Sequence, residues 1–149
     1  MLTASDIMTR EVVSVSRETS IRELAEIFTN HHIGSVPVVD SEGVLVGIVT
    51  ESDLIEQDRS FHIPTVISLF DWVIYLESDK KFEKELNRMT ARTVGEICTP
   101  EVLTVTPSTP VSEIADIMTA RKIHSLPVVD GGKLVGMVSR IDLIRSMVR

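Results

Sequence analysis

Cysteine is almost absent from this chain: Cys98 stands alone among 149 residues. That argues against both an internal disulfide framework and a thiolate metal cluster, and it fits a reducing compartment. Long hydrophobic runs are missing as well. The greasiest stretch, Ile67 to Leu76, is broken by Asp71, so no run of about 18 apolar residues is available to span a bilayer. The amino-terminal MLTASDIMTR has neither the basic start nor the long apolar core of a signal peptide. Positive charge is in deficit, with 15 Lys and Arg against 22 Asp and Glu and a net charge of −7. Nucleic-acid binding needs a clustered excess of cations to neutralise phosphates, so that class is disfavoured. These absences predict a soluble, cytoplasmic protein with no membrane or nucleic-acid partner. Its length suits one compact domain, or two very small ones sharing a core, burying roughly 70% of the unfolded surface.

What is present is a repeat. The stretch IMTREVVSVSRETSIRELAEIF from Ile7 matches ICTPEVLTVTPSTPVSEIADIM from Ile97. His31 to Asp40 (HHIGSVPVVD) matches Arg121 to Asp130 (RKIHSLPVVD), and Leu45 to Ile55 (LVGIVTESDLI) matches Leu134 to Ile144 (LVGMVSRIDLI). Roughly 23 of about fifty aligned positions are identical, at an offset of about 90 that falls by one after a turn. The chain is a duplication, dividing into a first repeat over 1–57, an insert over 58–90 and a second repeat over 91–149.

Each copy reads in the same order. A short strand (Val12 to Val15; Val102 to Val105) leads to a helix beginning near Thr19 or Thr109, the latter read as an N-cap with Pro110 at the first helical position. Ile21, Leu24, Ala25 and Phe28 share one helical face, as do Val111, Ile114, Ala115 and Met118. Two apolar runs follow, Val36 to Val39 then Val44 to Val49, and Leu126 to Val129 then Lys133 to Val138. The short glycine-bearing turns DSEG and DGG separate them, as a hairpin requires. A last helix starts at Thr50 or Ser139. The expected fold is α/β of the α+β kind: two β-α-β-β-α repeats, each marginal alone, paired through their sheets.

The last helix starts carry the chemistry. Gly47-Ile-Val-Thr50-Glu-Ser-Asp53 and Gly136-Met-Val-Ser139-Arg-Ile-Asp142 each set a glycine at a strand end, where a ligand can approach closely. A hydroxyl follows beside free N–H groups, an anion-friendly position. Three residues on, a carboxylate returns to the same face and can accept hydrogen bonds from a ribose diol. The same pattern is also a capping box, which stabilises a helix with no ligand at all. Enzyme chemistry finds no support: there is no GxGxxG, HExxH, CxxC or GxSxG, and no nucleophile paired with a base. Gly131-Gly132-Lys133 fails as a phosphate loop because Pro127 and Leu134 stand at required positions. The histidines (31, 32, 62 and 124) lack ligand spacing, so no metal and no catalytic cofactor is expected. His124 is the exception in interest, because it precedes a strand from which it could reach a phosphate.

At these residues the sequence resembles a tandem cystathionine-β-synthase (CBS) domain pair. The resemblance rests on DIMT, on the SVPVVD and SLPVVD strands, and on the two glycine-to-aspartate signatures, and covers both repeats. It implies packing about a pseudo-twofold axis and two clefts for AMP, ADP, ATP or S-adenosylmethionine. One cleft would combine Ile48, Thr50 and Asp53 with Val102, Leu103, Ile123, His124 and Ser125. The other would combine Met137, Ser139 and Asp142 with Val12, Val13, Ile33, Gly34 and Ser35. Apolar side chains would sandwich adenine, the aspartate would hold ribose, and the hydroxyl would face phosphate. His124 suits a phosphate grip; Gly34, its counterpart, does not.

The insert departs from that compact pattern. It holds five of the six aromatic residues, Phe61, Phe70, Trp72, Tyr75 and Phe82, and reads as two helices, Pro64 to Leu76 and Ser78 to Met89. The rings either cover the paired repeats or form an interface, with Trp72 and Tyr75 as anchors of a homodimer. The functional expectation is a stand-alone regulatory module that binds an adenosine nucleotide and signals its state to a protein partner. The alternative is a ligand-free structural module that only dimerises.

Overall fold

The computed structural model describes residues 1–60 and 92–148. The two insert helices and the insert's aromatic residues therefore lie outside the described residues. The first repeat contributes α1 (Ala4–Ile7), α2 (Ile21–His31), β1 (Ser35–Val39), β2 (Leu45–Thr50) and α3 (Glu51–Ser60). The second contributes α4 (Val94–Ile97), α5 (Val111–Arg121), β3 (Ser125–Asp130), β4 (Lys133–Ser139) and α6 (Arg140–Met147).

β1 pairs antiparallel with β2, and β3 with β4, giving two small sheets. Asp40 Oδ1 accepts from Glu42 and Val44 N–H and so shapes the first hairpin's turn; Gly131 and Gly132, both at positive φ, make the second. Each ladder carries the same irregularity, after Val38 and after Val128, so Val46 and Val135 are left unpaired.

Two expectations shift in detail. The leading strand is a single parallel bridge in each copy, Val15 to Val38 and Val105 to Val128. Val15 N–H donates to Pro37 and its carbonyl accepts from Val39 N–H, and Pro37 has no N–H with which to extend the ladder. Helix α5 starts at Val111 with Pro110 in the capping position and no side-chain cap. Thr109 instead turns its hydroxyl back to accept from Thr106 N–H, a local bond that competes with capping. Its counterpart α2 is capped by Ser20, whose Oγ accepts from Glu23 N–H.

The apolar faces fill two cores. Ile21, Leu24 and Phe28 of α2 pack on Val36, Val38 and Val49. Ile114 and Met118 of α5 pack on Leu126, Val128 and Val138. Each core is closed by the other repeat. Val94 of α4 lies in the first core, and Ala4 and Ile7 of α1 lie in the second. Backbone bonds fasten the exchange: Ala4 N–H to Thr109 and Ser5 N–H to Pro107 on one side, Val94 N–H to Thr19 and Gly95 N–H to Arg17 on the other. Across the pseudo-twofold axis the Ser35 and Ser125 hydroxyls meet at 2.6 Å. At the opposite end of the sheets Leu45 N–H donates to Gly132 and Leu134 N–H to Gly43.

Candidate functional site

The exchanged segments continue from α1 and α4 straight onto the glycine-bearing strands. Thr9 and Met137 exchange two backbone hydrogen bonds, at 2.8 and 3.0 Å, and Thr99 and Ile48 exchange two at 2.9 Å. The glycines one residue earlier allow this. A Cβ on Gly136 would sit 2.6 Å from Met8 Sδ and 3.0 Å from the Thr9 carbonyl oxygen. One on Gly47 would sit 3.0 Å from the Thr99 carbonyl oxygen and 3.1 Å from Cys98 Sγ. The room left by Gly47 and Gly136 is thus taken by this chain's own segments, a correction to their reading as space for a ligand. Thr9 and Thr99 were missing from the sequence-derived site. Their signal was present in the matched I-x-T of the two repeats, but only the fold shows which strand each threonine meets.

Directly beyond these bridges lie the two hydroxyl–carboxylate pairs. Thr50 N–H and Oγ1 donate to Asp53 Oδ2 at 2.9 and 3.1 Å, and Asp53 N–H returns a bond to Thr50 Oγ1 at 3.3 Å. Ser139 N–H and Oγ donate to Asp142 Oδ2 at 2.9 and 3.0 Å. Both are working capping boxes, which hold the helix starts in place.

Their second oxygens differ. Asp142 is 4% exposed, and its Oδ1 accepts from Thr9 Oγ1 and from the Arg145 guanidinium, each at 3.4 Å. Asp53 is half-buried, and its Oδ1 has no partner among the described residues. A cavity of about 230 Å³ opens beside Asp142, lined also by Met8, Thr9, Arg145 and Ser146.

The remaining predicted residues distribute as follows. Ser35 lies opposite Thr50 in the first ladder and Ser125 opposite Ser139 in the second. Because the two serines touch across the axis, Ser125 is one side chain removed from Thr50, and Ser35 from Ser139. Gly34 and His124 are exposed, and their carbonyls accept from Glu51 and Arg140 N–H at 3.0 Å. Val12, Val13 and Val102 are half-buried while Leu103 is exposed; they follow the segments bridged to Met137 and Ile48. Ile33 and Ile123 pack against the core of their own repeat, which removes part of their surface from any adenine wall.

Known proteins share this architecture. The family model for the CBS domain matches residues 4–60 and 94–149. The chloroplastic CBS domain-containing protein CBSX2 of Arabidopsis thaliana is 32% identical over 97% of this chain, which spans 63% of that protein's length. The crystal structure of CBSX2 in complex with AMP superposes with a TM-score of 0.76 at 26% identity, covering 99% of this chain and 97% of that one. The CBS domain pair of protein MJ0100, in complex with 5′-methylthioadenosine and S-adenosyl-L-methionine, gives a TM-score of 0.70 at 27% identity, covering 99% and 96%. With its duplicated hairpins, exchanged leading helices and paired capping carboxylates, this chain belongs to the CBS-domain family.

Proposed function

We propose that this protein is a regulatory module, not an enzyme, that binds adenosine-type ligands in two clefts formed between its CBS repeats. The observation that carries the reading is the Thr50–Asp53 pair: a hydroxyl at a helix start and a half-buried carboxylate with one oxygen uncommitted among the described residues. Capping consumes only Oδ2, so Oδ1 remains to accept hydrogen bonds from a ribose diol. Ile48, Val102, Leu103, Ile123, His124 and Ser125 complete this cleft. Met137, Ser139 and Asp142 form the other with Val12, Val13, Ile33, Gly34 and Ser35. The AMP and S-adenosylmethionine complexes of similar proteins support the ligand class.

In this reading the repeats occupy 1–57 and 91–149 around the insert at 58–90, and the protein works in the cytoplasm as a homodimer that signals ligand state to a protein partner. Exposed Ile55 on α3 and Ile144 and Met147 on α6 supply apolar surface for association. A thermal-shift titration with AMP, ADP, ATP and S-adenosylmethionine tests the reading. Ligand at about one hundred times its dissociation constant adds roughly 2.7 kcal/mol, a rise of roughly 5 to 10 °C in Tm. No shift with any of them at millimolar concentration overturns it. The structural-module alternative draws on Asp142, whose two oxygens are both engaged within the protein.

A further inference from the structure

Each repeat keeps one exposed helix face that is apolar at its centre, and the two faces carry opposite charge. Helix α3 sets Glu51 and Ile55 one turn apart with Glu56 beside them, all three exposed. Helix α6 sets Arg140 and Ile144 at the same spacing with Arg145 beside them, again all exposed. The isoleucines are aligned positions of the duplication, and so is each glutamate with its arginine. Neither isoleucine serves a core: Ile55 is 61% exposed and Ile144 55%.

The second face also holds a recess. Between α5 and α6 lies a groove of about 440 Å³, lined only by residues of the second repeat. Met118 and Leu143 line its covered part, Ile144 and Met147 stand exposed along it, and Lys122 and Arg140 give it positive charge. Ile141 and Val148 extend the exposed apolar surface of α6 and its end. On α3, by contrast, Ile55 is the one large apolar side chain left exposed among the described residues, and acids flank it.

We infer that two copies of this protein pair in a crossed arrangement: α3 of each docks on the α5–α6 groove of the other, with Ile55 in the groove and Glu51 and Glu56 against Lys122, Arg140 and Arg145 of the second copy. The inference rests on the homodimer reading above and adds which face meets which. Any two-fold operator that brings Ile55 of one copy to the groove of the other makes the reciprocal contact too, so the assembly closes at two copies. The alternative pairs each face with its own counterpart. That arrangement sets Glu51 and Glu56 against glutamates and Arg140 and Arg145 against arginines, and like charges brought together across an interface repel. The crossed arrangement surrounds an apolar centre with opposite charges instead.

Sedimentation of the full chain and of charge-reversed variants tests this. The unaltered protein should sediment as a dimer. Glu51→Lys with Glu56→Lys, and separately Lys122→Glu with Arg140→Glu, should each raise the dimer dissociation constant by at least about tenfold, because each sets like charges together at both contacts. Mixing the two variants should restore the dimer, since every reversed charge then meets a reversed partner. Pairing of like faces predicts the opposite: exchanging acids for bases on a face that meets itself leaves the repulsion as it was, so neither variant weakens alone. A second readout is independent of charge. In a Cys98→Ser background, a short bis-maleimide should join Ile55→Cys chains to Ile144→Cys chains and leave Ile55→Cys chains unjoined to each other. Unchanged dissociation constants in both variants, or chains joined from position 55 to position 55, overturn the inference and leave the homodimer reading standing. A monomer at every concentration, or species that grow past two copies, overturns both.

Discussion

Asp53 and Asp142 end matching signatures at equivalent places in the two repeats, yet among the described residues one carboxylate engages a single oxygen and the other engages both. Each gives Oδ2 to its capping box. At Asp142 the second oxygen is taken by Thr9, reached across the pseudo-twofold axis, and by Arg145 one turn along α6. At Asp53 the residue one turn along is Glu56, which cannot donate, and Thr99 makes no corresponding bond among the described residues. A charge change on a helix surface, together with a threonine bond made in only one copy, therefore separates two equivalent aspartates. Duplicated sites diverge in this way without disturbing the fold, because the positions that changed lie outside both cores.

The largest expected effects ask whether the two repeats are equivalent where the comparison says they are. Leu24→Ala and Ile114→Ala empty fully buried, matching positions, and each should cost about 2–5 kcal/mol in chemical denaturation. Values within about 1 kcal/mol of each other support equivalent cores; a wide gap breaks the symmetry argument. Next come the glycines beneath the exchanged segments. Gly47→Ala and Gly136→Ala should each cost about 1–3 kcal/mol, since each methyl meets a backbone carbonyl at 3.0 Å. The same measurement showing no loss would mean that the exchanged segments are free to shift.

The aspartates themselves sharpen the contrast. Asparagine keeps one acceptor oxygen, which is all that Asp53 uses among the described residues, so Asp53→Asn should lower stability by about 1 kcal/mol at most. Asp142 uses both, and its amide replacement sets a donor against Arg145, Thr9 or the cap, so Asp142→Asn should cost about 1–3 kcal/mol. Binding should order the opposite way: Asp53→Asn weakens its adenosine ligand ten- to hundredfold by calorimetry, about 1.5 to 3 kcal/mol. Equal stability losses in the two variants would sink the claimed difference in carboxylate engagement. The smallest effect belongs to Arg145→Ala. Its side chain is 70% exposed, so losing the ion pair should cost less than about 1 kcal/mol and leave Thr9 as the partner of Asp142 Oδ1. A gain in ligand affinity at that cleft would show that Arg145 holds it closed.

Much of this was readable along the chain. The duplication, the order of helices and hairpins, and the capping boxes at Thr50 and Ser139 are local features, set by 3.6- and 2-residue periodicity and by side chains three positions apart. Reading failed where local options competed. Thr109 looked like a helix cap but closes a turn onto Thr106, because both bonds are available to a hydroxyl at that point. Val12 to Val15 looked like a strand, yet only Val15 makes a bridge, to Val38, beside a proline that cannot donate.

The sequence by itself determined the repeat, the apolar faces of α2 and α5, and the two hydroxyl–carboxylate pairs, since each is written in residue identity and short spacing. Only the tertiary structure decided that α1 closes the second core and α4 the first, that Gly47 and Gly136 admit Thr99 and Thr9, and that among the described residues Asp142 engages both oxygens while Asp53 engages one. Those outcomes join residues from about 40 to about 130 positions apart, and no periodicity encodes such a pairing: it follows from which apolar face is left uncovered once each hairpin and helix has folded.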